Sequence, residues 1–135
     1  MSNPVLNKIE SMERCINRVK EIYSINQNLN DYNIQDALIL NLQRACQTAI
    51  DIAMHIIARE TLGLPQNSKE AFTILETNKI INFGTSKNMK AMVGFRNIIV
   101  HEYEKLNIDI LQSIVENNLN DFIDFSKDII KYENL

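Results

Sequence analysis

Apolar residues recur every third or fourth position through nearly all of this 135-residue chain, a period that buries one face of a helix and cannot be satisfied by a strand. Three glycines and two prolines are all that could break the pattern. Val5, Ile9, Met12, Ile16, Val19 and Ile22 or Tyr23 predict a first helix over residues 5–25, starting beside Pro4 and stopping at Asn26-Gln27-Asn28. Ala37, Leu38, Leu42, Ala45, Ala49, Ile52, Ala53 and Ile56 predict a long second helix over 34–61, whose alanines let a neighbour approach closely. Gly63-Leu64-Pro65 should end it, and Ser68 should cap a short third helix through Leu75. A turn over 78–84 precedes a fourth helix, capped by Thr85 or Ser86 and running to about Tyr103. Leu111, Ile114, Val115, Leu119, Phe122, Phe125 and Ile129 predict a last helix over 108–132. The expected fold is all-α, an antiparallel bundle of about five helices in a single domain spanning residues 1–135.

A hydrophobic share of 45% suits a packed core. No apolar run reaches the ~18 residues of a membrane span, and Met1-Ser2-Asn3-Pro4 lacks the basic-then-apolar pattern of a signal peptide. The expectation is a cytoplasmic protein without a membrane partner. Cys15 and Cys46 both fall among helical apolar positions and read as buried free thiols. A formal net charge of -3 argues against non-specific nucleic-acid binding. Local charge differs: from Thr85 to His101 the chain carries Lys87, Lys90 and Arg96 and no acid, whereas Asp121, Asp124, Asp128 and Glu133 gather near the C-terminus. That distribution favours an anionic substrate held locally.

The segment Arg96-Asn97-Ile98-Ile99-Val100-His101-Glu102-Tyr103 sets polar, chemically capable residues into an apolar helical run. At about 100° per residue, Met89, Met92, Val93, Arg96, Ile99, Val100 and Tyr103 share one broad face, with Lys90, Asn97 and His101 in the neighbouring sector. Arg96 and His101 diverge by roughly 140° on such a wheel. A joint site therefore needs Arg96 to bend around the helix, or a second helix or subunit to close the gap. Two readings stand side by side. Arg96 ion-pairs with Asp51 or Glu102 and His101 serves the helix end; or Arg96 grips a phosphate, Asn97 holds a sugar or phosphate oxygen, and His101 exchanges a proton near neutral pH. The second set of capabilities matches metal-free RNA cleavage, in which a base takes the 2'-hydroxyl proton and a cation stabilises charge developing at phosphorus.

The segment resembles the Arg-x4-His-x-Tyr signature of the HepT toxins, a branch of the HEPN superfamily of helical ribonucleases. The similarity extends to the second-helix text Ala49-Ile50-Asp51-Ile52-Ala53-Met54-His55-Ile56-Ile57-Ala58, to Gly63-Leu64-Pro65, and to Met92-Val93-Gly94-Phe95 leading into Arg96. The resemblance implies a toxin of a toxin-antitoxin pair, a metal-independent endoribonuclease acting on tRNA or mRNA. It implies a homodimer whose motif helices meet across a cleft, with Arg96 and His101 as the catalytic pair and Asn97 in support. It further implies that a minimal nucleotidyltransferase, MntA, neutralises the toxin by transferring AMP from ATP to Tyr103. No resident cofactor or metal is expected. Lys87 and Lys90 are the candidate peripheral phosphate contacts.

Other residues carry weaker signals. Asp51 and His55, one turn apart, suit a structural contact better than half a metal site. Arg44 and Arg59 are either solvated or extend an RNA surface, and Met54, Met89 and Met92 read as core or seam fillers. The competing functions are a non-catalytic HEPN-like binding module that partners a nucleotidyltransferase, and a structural helical-bundle dimer.

Overall fold

In the computed structural model, residues 3–101 and 107–135 are described, without the side chains of Val100 and His101. The chain forms α1 (Pro4–Ile25), α2 (Tyr32–Glu60), α3 (Ser68–Thr77), α4 (Phe83–His101), α5 (Ile108–Ser113), a π turn (Ile114–Asn118) and α6 (Asn120–Glu133). The expected last helix is thus three consecutive segments. The wider π turn lets neighbouring Ile114 and Val115 both bury, and Leu119 after them, before α6 turns Phe122, Phe125 and Ile129 inward.

Short asparagine and aspartate side chains set the helix starts. Asn3 Oδ1 accepts from the Val5 and Leu6 amides at 3.0 and 3.1 Å, with Pro4 following it where a missing N–H costs nothing. Asp31 caps α2 through the Asn33 amide at 2.9 Å. Two expected caps are corrected. Asn67, not Ser68, caps α3 by accepting from Glu70 N at 2.8 Å. Asn82, not Thr85 or Ser86, caps α4 by accepting from Thr85 N at 2.8 Å. Thr85 and Ser86 are instead buried inside the helix, and Ser86 Oγ donates to the Phe72 carbonyl at 3.4 Å. At the C-terminal end of α2 the chain turns at Thr61, whose φ of 53° is left-handed, ahead of Gly63-Leu64-Pro65.

Helix α2 is the spine. It packs most extensively on α1, and α1, α2, α4 and α6 close a ring in which each touches the next, with α3 clamped against α2 and α4. Ala45, Ala49 and Ala53 on α2 are fully buried, which brings the α2 backbone close to its neighbours. Val5, Ile9, Met12, Ile16 and Val19 bury the periodic face of α1 as its spacing predicts. Phe72 from α3 and Phe125 from α6 meet edge to face at a centroid distance of 5.6 Å. Cys46 is buried and Cys15 only half-buried, so the second thiol departs from expectation; neither forms a disulfide. Among the described residues no helix is long and apolar enough to cross a membrane.

Candidate functional site

The site is built where α4 crosses α2. Met89, Met92, Val93, Phe95 and Ile99 anchor α4 in the core, while Arg96 and Asn97 between them are half-buried. Among the described residues the Arg96 guanidinium is held at two points. Nη1 donates to Asn97 Oδ1 at 2.9 Å, and Nη2 donates to Gln47 Oε1 of α2 at 2.7 Å. Gln47 is oriented in turn, since its Nε2 donates to Asp51 Oδ1 one turn further along α2 at 3.0 Å.

This geometry bears on the Arg96 half of the difficulty raised by the helical wheel. The bond to Asn97 draws the guanidinium around α4 toward the sector that holds Asn97 and, one turn later in register, position 101. Arg96 bends around the helix. The side chain of His101 lies outside the described residues, as do Glu102 and Tyr103 entirely.

Among the described residues the acid expected to pair with Arg96, Asp51, stands one residue removed, behind Gln47. A neutral amide therefore fixes the position of the cation without cancelling its charge. Arg59 shows the contrast: its guanidinium forms a bidentate pair with Glu133 at 2.6 and 2.9 Å and a further contact with Glu60 at 2.9 Å, a pairing that raises its pKa. Arg59 joins the C-terminal ends of α2 and α6; it stays exposed, as expected, but its guanidinium is engaged by carboxylates. The charge of Arg96 is felt inside the bundle. Burial pushes the Cys46 thiol up to about 12, against the opposing pull of the Arg96 cation. That thiol donates to the Met92 carbonyl at 3.7 Å and is a core group, not a nucleophile.

Lys87 is exposed and Lys90 half-buried on α4, and neither forms an ion pair among the described residues. On helical spacing, Lys87, Lys90, Gly94, Asn97 and position 101 share one strip of α4. Lys69 of α3 reaches this strip, its Nζ lying 3.7 Å from where a Gly94 side chain would begin. Lys69 and Gln47 were not identified from sequence. Gln47 carries one available signal, its position one turn before Asp51 on α2; Lys69 carries none. The expected Asp51–His55 contact is absent, because Asp51 is engaged by Gln47. No group of three or more His, Cys, Asp or Glu side chains gathers in a metal-holding arrangement among the described residues.

The all-helical ring, with Arg96 on α4, is the fold of a HEPN-type domain, as its superposition on a solved HEPN toxin shows. Within that class the chain belongs to the Ribonuclease HepT-like family, whose pattern matches residues 12–129, the toxins that pair with MntA antitoxins. It is 46% identical over 134 residues to the mRNA nuclease HepT of Shewanella oneidensis, covering 98% of this chain and 100% of that protein. It is 31% identical over 104 residues to the tRNA nuclease HepT of Aphanizomenon flos-aquae, covering 74% of this chain and 69% of that one. Its fold superposes with a TM-score of 0.89 on the tri-AMPylated Shewanella oneidensis HEPN toxin solved in complex with its MNT antitoxin, at 44% identity over 96% of this chain and 98% of that one.

Proposed function

We propose that this protein is a metal-independent endoribonuclease, the toxin of a toxin-antitoxin pair, silenced by AMPylation of Tyr103. The observation that carries the reading is the Arg96 guanidinium, which among the described residues is held by two amide oxygens and no carboxylate, leaving its positive charge for a phosphate. Full-length similarity to an mRNA nuclease and partial similarity to a tRNA nuclease support RNA as the substrate class.

In this mechanism His101 takes the proton from a ribose 2'-hydroxyl. The oxygen attacks the adjacent phosphorus, the bond from phosphorus to the 5'-oxygen breaks, and that oxygen leaves with a proton supplied by a general acid. Proton transfer of this kind contributes roughly 10²- to 10⁴-fold in rate. Arg96 holds the phosphate and stabilises the extra charge of the pentacovalent state, while Asn97 fixes the guanidinium and contacts an equatorial or sugar oxygen. Lys90 and Lys87 steer the strand from the N-terminal part of α4. A homodimer that apposes two motif helices across a cleft completes the site and brings the second pair of Arg96 and His101 to the same strand.

The antitoxin is a minimal nucleotidyltransferase of the MntA type. It transfers AMP from ATP to the Tyr103 phenol oxygen with release of pyrophosphate, adding negative charge and bulk beside the residues that receive RNA. The tri-AMPylated state of the Shewanella toxin supports this route. Purified, unmodified protein should cleave RNA, and Arg96→Ala or His101→Ala should each abolish cleavage while leaving secondary structure and elution volume unchanged. Full activity in both folded variants contradicts the mechanism. Intact mass after incubation with the partner and ATP should show AMP-sized additions that vanish in Tyr103→Phe; unchanged labelling of that variant removes Tyr103 as the acceptor.

A further inference from the structure

A second cationic cluster lies between α1 and α2. Arg14, Arg18 and Arg44, with Ser11, Cys15 and Asn41, line a cavity of about 190 Å³. None of the three arginines forms an ion pair among the described residues. Among the described residues no acid lines the cavity. All three are exposed, so solvent screens much of their mutual repulsion, and a phosphate between them would relieve what remains.

Asn41 makes the chemistry more specific. It is only 6% exposed; its Nδ2 donates to the Ala37 carbonyl at 2.9 Å, and that bond fixes Oδ1 as the free end of the amide. Among the described residues Oδ1 has no hydrogen-bond partner. A buried amide oxygen without a donor costs stability unless a ligand or water supplies one. An inorganic anion would answer the arginines and leave Asn41 unanswered. A ribose-phosphate answers both, with phosphate oxygens for the guanidinium groups and, after a shift of the Asn41 side chain that uncovers Oδ1, the 2'-hydroxyl as its donor.

The cavity is also placed along a path. Arg44 lies three residues before Gln47 on α2, so the two neighbour one another on the helix surface at about 5–6 Å between Cβ atoms, and Gln47 grips Arg96. We infer that the α1–α2 cavity is a ribose-phosphate subsite for the RNA strand running from Arg96, with Arg14, Arg18 and Arg44 binding phosphate and Asn41 reading the 2'-hydroxyl. This inference rests on RNA being the substrate, as proposed above.

The test uses the full chain carrying His101→Ala, so that RNA stays intact, and fluorescence anisotropy with a labelled single-stranded ten-nucleotide RNA and its DNA counterpart across a salt series. Combined Arg14→Gln, Arg18→Gln and Arg44→Gln should weaken RNA binding at least ~10-fold and reduce the slope of log affinity on log salt by about 2, from roughly 0.7 per lost phosphate contact. Asn41→Leu should keep that slope and lower the preference for RNA over DNA by about 5-fold, the worth of one neutral hydrogen bond. An arginine triple variant that is folded by circular dichroism and binds RNA with unchanged affinity and slope overturns the subsite. So does a parent that binds neither nucleic acid. A triple variant that changes oligomeric state while binding RNA normally assigns the cavity to a contact between protomers and also overturns it. RNA cleavage by the wild-type chain separates the two proposals: cleavage with an unaffected triple variant removes the subsite alone, and loss of binding without wild-type cleavage removes the nuclease reading alone.

Discussion

Gln47→Leu cuts both hydrogen bonds of the relay from Arg96 through Gln47 to Asp51 while keeping a side chain of similar size at the α2–α4 crossing. The bond to Arg96 is short, 2.7 Å, and its donor is charged. Such bonds contribute about 1.5–3 kcal/mol, and half-burial of both partners places this one near the lower end. If the relay holds Arg96 where phosphorus will gain charge, about 1.5–2 kcal/mol of transition-state stabilisation is lost, which is roughly a 10- to 30-fold fall in kcat/KM. The assay is initial-rate cleavage of a short fluorogenic RNA, paired with thermal melts. Gln47→Glu separates positioning from simple support. A carboxylate there still anchors Arg96 but loses the bond to Asp51 and faces its carboxylate, so Tm falls slightly, while neutralisation of the cation raises KM by more than that fall explains. A structural role alone would let activity follow Tm in both variants. Wild-type kcat/KM in a folded Gln47→Leu protein refutes the reasoning.

Other outcomes follow from residues outside the site. A thiol reagent at pH 8 should modify half-buried Cys15 in the native protein and Cys46 only after denaturation; equal rates for both would contradict the buried position of Cys46. Because the folded Cys46 pKa lies above its unfolded value, its contribution to stability is complete below pH ~9 and is lost as pH rises toward about 12. Melts across that window should show a decline that is shallower in Cys46→Ala. Arg59→Gln breaks a bidentate pair whose arginine is 38% exposed and whose Glu133 is 10% exposed. Solvent screening limits the loss to about 1 kcal/mol, a fall in Tm of several degrees without loss of RNA cleavage; lost cleavage at unchanged Tm would place Arg59 in the site.

The helical period is legible because burial selects it directly, and the apolar sets of α1 and of the last helical run are buried as spaced. Helix starts were harder to read. Asn67 and Ser68, or Asn82 and Thr85, are all competent caps, and only the backbone path decides which amide is reached. The π turn at 114–118 has no residue type of its own; it exists because adjacent Ile114 and Val115 must both face the core. At the site, Arg96 and Asn97 stood out as polar residues in an apolar helix. Gln47 did not, because its role depends on a contact 49 residues distant in sequence and on an amide that carries no charge to draw notice. Its neutrality is also what leaves Arg96 charged.

The most direct measurement uses one RNA made in two forms, all-ribose and with a single 2'-deoxy substitution at the cleaved nucleotide, incubated in EDTA with protein whose intact mass shows an unmodified Tyr103. The mechanism predicts cleavage of the all-ribose strand to a product ending in a 2',3'-cyclic phosphate, and no cut at the substituted position. Cleavage of the deoxy-substituted strand at that position, or activity that appears only when metal is restored, would contradict attack by the 2'-hydroxyl under the control of Arg96 and His101.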